Sequence, residues 1–491
     1  MPAARSGPTA SGRLAPPRRA VLTGLTFSTS GATFTAIYLF QFLALLLPRD
    51  GGTAAIIYAS PLVTTVALVA TRLVALRSTG LLAMLALLLQ NLLLVAFGLG
   101  PVLNLLLSLA TYSAFYLLML APVRSDRGSH IVVWERLLQL ASLAVVAIGV
   151  AQLVAAGFPL RLPYIDFSPD VFEGPYGAGG HRLVPMLTGP ALVLQVLRVM
   201  NGAATLRRSL PLLITLAFGT IAPGANAIIL ALVGAVALTV ITVGGRRYLR
   251  TLARGGKLFR RRLKAQTVAV VSITVTAAIA FFLVTGLGGL PHIQRSLANL
   301  VDAGHSSGPR NAKVAATLDT LFVLPAREPL QPAVGVGLGN YSSWSQLLLS
   351  GVYVDRFLRG RISGLPVSYD DTAWDLVLWH ISPEAYARYG RWYVESISTQ
   401  PWSSWQSLYA EVGLLGLSLL MAAFLPLLGR LRTGRGDPPA LVAVKLTLGV
   451  YVWFAFVCGF IDNFFEYPWL LVPLFLGLLA LPPRKPGPAE Q

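Results

Sequence analysis

Long apolar runs separated by short polar breaks dominate this chain of 491 residues. About 20 consecutive apolar residues, wound as a helix, cross the ~30 Å hydrocarbon core of a bilayer. Segments 21–47, 53–75, 79–99, 101–123, 131–157, 266–289, 405–428, 439–461 and 467–482 reach or approach that length. Segment 184–201 is less uniform because it contains Arg198, and 209–243 is too long for one helix and is broken by Ala222-Pro223-Gly224. Splitting the latter at its Pro-Gly predicts two short spans and a total of about twelve crossings. Two stretches remain that are too long to be turns, 158–183 and 290–404. The second has the character of soluble protein, with nine basic and nine acidic residues and five of the nine tryptophans. Helices are expected there over 311–322 and 371–380, joined by loops.

Composition agrees with a membrane protein. Hydrophobic residues make up 55% of the chain and charged residues 12%, against about 25% charged in soluble domains. A mean hydropathy of +0.67 excludes an ordinary soluble enzyme and a disordered chain. The single cysteine, Cys458, permits neither an intramolecular disulfide nor a cysteine-based metal site. The first twenty residues, rich in Pro, Gly, Ala and Ser with four Arg, read as a disordered cytoplasmic tail. The apolar stretch that follows exceeds the 7–15-residue core of a cleaved signal peptide.

A net charge of +19 raises nucleic acid as a partner, so the placement of the charges matters. With a cytoplasmic N-terminus and twelve crossings, the inside segments hold 26 of the 39 basic residues and four acids, net +22. The outside segments hold 12 basic and 15 acidic residues, net −3, while Lys445 and Glu411 fall within helices. Basic inside loops are the signature of membrane orientation. The nine basic residues over 246–264 read as an anchor against anionic lipid. No aromatic stacking residues or folded module accompany them, so nucleic acid is not expected. The expected plan is an all-α polytopic membrane protein with both termini in the cytoplasm. Helices over 21–289 include the outside loop 158–183; a large extracytoplasmic loop over 290–404, helices over 405–482 and a cytoplasmic tail over 483–491 follow.

Candidate chemistry concentrates in the large loop. Gly335-Val336-Gly337-Leu338-Gly339-Asn340-Tyr341 places glycine at alternate positions, which permits positive φ and close backbone approach. Either a structural turn or amides presented to a phosphate or sugar would use that freedom. Pro401-Trp402-Ser403-Ser404-Trp405-Gln406 leads into Ala410-Glu411-Val412-Gly413-Leu414-Leu415-Gly416. Glu411 would sit about two turns inside a membrane helix, where an acid is costly and marks either a functional site or a packing ion pair. Asp370-Asp371 reads as a helix start rather than a metal site, and no metal or cofactor is expected.

Together the Gly-x-Gly-x-Gly-Asn-aromatic turn, the Ala-Glu-x-Gly-Leu-Leu-Gly helix and Ser307-Gly308-Pro309-Arg310 resemble the O-antigen ligase and Wzy-type polymerase superfamily of bacterial envelope enzymes. The motif resemblance covers roughly residues 300–425. Trp402 and Ser403 stand where the family carries His and Asn. The resemblance implies a GT-C-like membrane fold and a metal-independent glycosyltransferase acting at the outer face. Its donor would be a polyprenyl-diphosphate-linked glycan, its acceptor a glycan or lipid, and its surroundings membrane lipid. It also implies cations for the leaving diphosphate: Arg310 first, with Arg182, Arg161 and Arg327 as further substrate contacts. His380 and Glu411 are candidates for base or orienter. Gly335, Gly337, Gly339, Asn340, Trp402 and Ser403 are candidates for substrate binding. The competing expectation is a non-enzymatic transporter or flippase for lipid-linked glycans.

Overall fold

The computed structural model describes residues 29–49, 51–71, 79–98, 100–120, 130–157, 171–177, 179–243, 312–345, 371–389, 400–434 and 437–482. The tail 1–20, the span 266–289 and the basic group 246–264 lie outside the described residues. Every regular element among the described residues is helical. The first nine helices are α1 (Thr29–Ala44), α2 (Gly51–Ala70), α3 (Thr79–Ala96), α4 (Val102–Thr111), α5 (Ser113–Met119), α6 (His130–Ala155), α7 (Val184–Met200), α8 (Leu206–Ile221) and α9 (Asn226–Thr242). Four short helices come next, three before the glycine-rich turn and one after it: α10 (Ala312–Leu318), α11 (Leu324–Arg327), α12 (Gln331–Val334) and α13 (Asp371–Leu376). The last four are α14 (Pro383–Tyr389), α15 (Ser404–Leu431), α16 (Pro439–Cys458) and α17 (Pro468–Ala480).

Six of these helices are long and apolar enough to cross a bilayer, and three shorter apolar helices accompany them. Their outward faces carry Leu43, Val66, Leu82, Leu89, Leu140, Leu230 and Leu425, all exposed. Large apolar side chains on the flanks of long helices fit contact with lipid and not with water. The chain is an integral membrane protein.

The span expected over 101–123 is not one helix. It bends by 65° between α4 and α5, at Tyr112. The expected break at Ala222-Pro223-Gly224 separates α8 from α9, with Gly224 at a φ of 68°. Two prolines inside other helices leave them unbroken, and the carbonyls they free meet donors. Pro190 frees Met186 O, which faces the Tyr451 hydroxyl at 3.5 Å, and Pro61 frees Ile57 O, which accepts from Ser60 Oγ at 2.9 Å.

One continuous apolar core runs through the bundle, with Trp134, Tyr451, Phe454 and Trp469 fully enclosed. Helix α17, buried along its length, packs against α1, α2, α5, α6, α7 and α16. Around this axis α7 packs on α8, and α16 on both α7 and α9. At one end of the bundle α10 to α14 and the glycine-rich segment join α15 and the 459–467 connection between α16 and α17. Polar side chains are concentrated there.

Candidate functional site

Two polar networks occupy that end. The first is built on Asp462, only 2% exposed, in the connection between α16 and α17. Its Oδ1 accepts the Trp402 indole N–H at 2.9 Å and the Asn463 amide at 2.8 Å. Its Oδ2 faces Arg182 Nη1 at 3.7 Å. Its backbone carbonyl accepts from the Ser404 amide and hydroxyl at the start of α15. Lys313, in the first turn of α10, donates from Nζ to Trp402 O at 2.5 Å and Ile461 O at 2.8 Å. One carboxylate thus ties the turn before α7, the N-terminus of α15 and the connection after α16 into one unit, and a lysine clamps the same two segments.

Electrostatics follow from the burial. Burial pushes the Lys313 ammonium down to about 8, a shift that Asp462 opposes and Arg182 reinforces. The Arg182 side chain is 28% exposed while that of Asp462 is 2% exposed. An incoming anion therefore meets the arginine first. An arginine fork beside a lysine point charge suits phosphate oxygens.

The second network locks the glycine-rich turn onto α15. Gly413, inside that helix, adopts φ 62° and ψ −171°, a conformation that glycine alone tolerates at little cost. The resulting kink frees two carbonyls, Ala410 O and Glu411 O, which accept from the Val336 and Gly337 amides at 2.9 Å each. Gly335, Gly337 and Gly339 have φ of 76°, 96° and 80°. A Cβ on Gly335 would run into the Glu411 carbonyl, and one on Gly339 into the Asn104 backbone and Ser108. Glu411 Oε1 accepts from the Tyr341 amide at 3.2 Å and the Ser343 amide at 3.3 Å. Helix α3 contributes Asn91, accepting from the Leu338 amide, and Gln90, donating to Val334 O and Val412 O. Asn340 bonds Asn104 at 2.6 Å and Val336 O at 2.9 Å. Of the two uses weighed for the glycines, the geometry is that of the structural turn: amides of Val336, Gly337, Leu338, Tyr341 and Ser343 are spent inside the protein.

The two networks meet through hydroxyls and amides. Ser407 on α15 bonds Ser342 at 2.8 Å and Asn463 at 3.1 Å, and Asn463 donates to Ser342 O at 2.6 Å. Gln406 donates to Thr320 at 3.0 Å, and Thr320 bonds the Tyr341 hydroxyl at 2.8 Å. Glu466, fully buried, accepts the Trp344 amide at 2.6 Å. Arg49, between α1 and α2, lies over the rings of Trp344, Tyr467 and Trp469 at 5.7, 5.1 and 6.0 Å.

Among the residues singled out from sequence, Arg182 and Trp402 come together at Asp462. Ser403 is the N-cap of α15, its hydroxyl accepting from the Gln406 amide. Trp402 is 1% exposed, so its ring packs in the interior and its N–H orients Asp462. Arg310 and Arg161 lie outside the described residues. Arg327 forms a 2.8 Å ion pair with Asp375 in which both side chains are exposed, a geometry worth ~0–1 kcal/mol. His380, buried in the 3-10 turn Leu378–Ile381, packs edge-on against Trp379. Burial pushes its imidazole down to about 4, which leaves it neutral near pH 7 and a weak base. Sequence reading missed Lys313, Asp462, Asn463, Glu466 and Arg49. The available signal was Asp462, Asn463 and Glu466 crowded into the short connection between two apolar spans.

No protein-family model, curated protein or solved structure matches the chain.

Proposed function

We propose that this protein is a membrane glycosyltransferase of the O-antigen polymerase or ligase type, with about twelve spans in a GT-C-like arrangement. It would transfer or polymerise polyprenyl-diphosphate-linked oligosaccharide at the outer face of the bacterial cytoplasmic membrane, with both termini in the cytoplasm. The observation that carries this reading is the convergence of Arg182 and Lys313 on Asp462, at the bundle end that also holds the family-like glycine turn and the Ala-Glu-x-Gly helix. Breaking the sugar–phosphate bond places new negative charge on the departing diphosphate. Arg182 would take its oxygens in a fork, and Lys313 would add a cation from the opposite segment. The acceptor oxygen bonds the anomeric carbon as the sugar–phosphate bond breaks, and its proton leaves late, to the departing diphosphate or to water, because diphosphate is a good leaving group and demands little of a base.

A transporter or flippase of lipid-linked glycans is the second reading. It is favoured by one observation, two buried acids beside interrupted helices, a pattern common where transporters hold coupling ions. Purified protein in nanodiscs with polyprenyl-diphosphate oligosaccharide separates the two. Longer carrier-linked products identify a polymerase, and transfer to a second acceptor a ligase. Flipping without either product ends the enzyme reading. Replacing Arg182 with Ala is expected to cut turnover by about 100-fold or more in protein that still unfolds cooperatively; undiminished turnover removes Arg182 from the site.

A further inference from the structure

Glu411 and Glu466 are each 0% exposed, and each spends one carboxylate oxygen on backbone amides. Glu411 Oε1 takes the Ser343 amide and Glu466 Oε1 takes that of the next residue, Trp344. The two carboxylates therefore hold consecutive backbone amides. The second oxygen of each, Oε2, has no hydrogen-bond partner, and neither has the Tyr112 hydroxyl. Tyr112 is 1% exposed and feels both carboxylates, Glu466 more strongly. Two buried acids and a phenol within electrostatic reach of both leave three oxygens without hydrogen-bond partners in the interior, an arrangement that native interiors rarely tolerate.

The backbone around them is interrupted twice. Tyr112 is the joint at which α4 and α5 bend by 65°, and Glu411 lies two residues before the Gly413 kink of α15. The helix α5, the kinked helix α15 and the turn Phe464–Glu466 pack on one another. Interrupted helices beside buried carboxylates are how membrane proteins build sites for dehydrated monovalent cations. Hydroxyls of Ser108, Ser343 and Ser345 form a chain along the same wall, with Ser108 to Ser345 at 2.7 Å and Ser345 to Ser343 at 2.8 Å. The charged neighbour is Arg49, which stacks on Trp344 and Tyr467.

We propose that Glu411, Glu466 and Tyr112 form a buried site for a monovalent metal cation, of the sodium class, that fastens the glycine turn to α5 and α15. The ligands are hard oxygens, two of them from carboxyl groups, and nitrogen and sulfur donors that would favour transition metals are missing from the set. The cation is structural, takes no part in bond breaking, and would serve either functional reading equally. Its test does not depend on a substrate.

Thermal unfolding of the full-length protein in nanodiscs is followed by tryptophan fluorescence at constant pH and ionic strength, with NaCl or KCl replacing N-methylglucamine chloride. The expected result is a saturable rise in unfolding temperature with one of the two metal cations. Tyr112→Phe is expected to raise the concentration for half-saturation several-fold. If no cation binds, deleting an unpartnered buried hydroxyl should leave the protein as stable or more so, and the temperature should ignore cation identity; that pair of results overturns the proposal. Glu411→Gln and Glu466→Gln should each abolish the cation response. Should either fail to fold, equilibrium binding of radioactive sodium and of rubidium to the wild-type protein decides, with about one ion per chain supporting the site and none for both ions refuting it.

Discussion

At the scale of single residues, Lys313 and Asp462 set the behaviour of the Arg182 site. Burying an ammonium is costly unless its protons are taken, and two carbonyls take them here. Its folded value near 8 lies below the ordinary 10.5, so the unfolded chain holds the proton more tightly. The stability Lys313 confers is complete above 10.5 and is lost as pH falls through about 8. Anion binding runs the other way, since it needs the charged form. Affinity for inorganic pyrophosphate, measured by calorimetry, is expected to fall as pH rises through about 8, and the unfolding temperature to climb from about 8 towards 10.5. Lys313→Arg, charged at every accessible pH, should flatten the binding profile; an unchanged profile would detach Lys313 from the anion. None of this was visible in the sequence. Lys313 is one lysine among twelve basic residues expected outside, and Asp462 is one acid in a short connection; only folding brings Lys313 onto the Ile461 carbonyl beside Asp462, 148 positions away.

At the scale of elements, interruptions matter more than helices. The sequence marks the positions, since Gly335, Gly337, Gly339 and Gly413 all stand in recognisable motifs. It does not mark their mutual use, in which a kink in one element supplies carbonyls to the turn of another. That pairing explains why Glu411 sits inside a membrane helix: its side chain completes the hydrogen bonding of the turn. Periodicity likewise cannot place the bend at Tyr112, because 101–123 is apolar throughout apart from a few small polar side chains. Gly413→Ala offers a direct test. The new Cβ would meet the Ala333 carbonyl and the Gly335 amide at 2.6 Å while holding a backbone conformation that costs ~1–3 kcal/mol for other residues. The expected loss of stability is at least that large, read as a lower unfolding temperature. Gly434→Ala, on an exposed turn without such contacts, should change little.

At the scale of the whole molecule, apolar periodicity locates most of the helices, because lipid imposes one requirement, a satisfied backbone wrapped in apolar side chains, on every span. Orientation rests on a different quantity, the asymmetry of net +22 against −3 across the expected faces. Orientation decides whether the Arg182 site can meet a carrier-linked glycan delivered from outside. The expected arrangement puts the turn between α7 and α8 in the cytoplasm and the segment between α11 and α12 outside. Thr205 and Glu328 are exposed in those two places, whereas Cys458 is fully buried and gives a silent background. In intact cells a membrane-impermeant maleimide is expected to label Glu328→Cys and to leave Thr205→Cys untouched until the membrane is opened. The reverse pattern would turn the Arg182 site towards the cytoplasm. The charge asymmetry would then run against the rule that basic loops stay inside, and a donor presented at the outer face would have no access to the site.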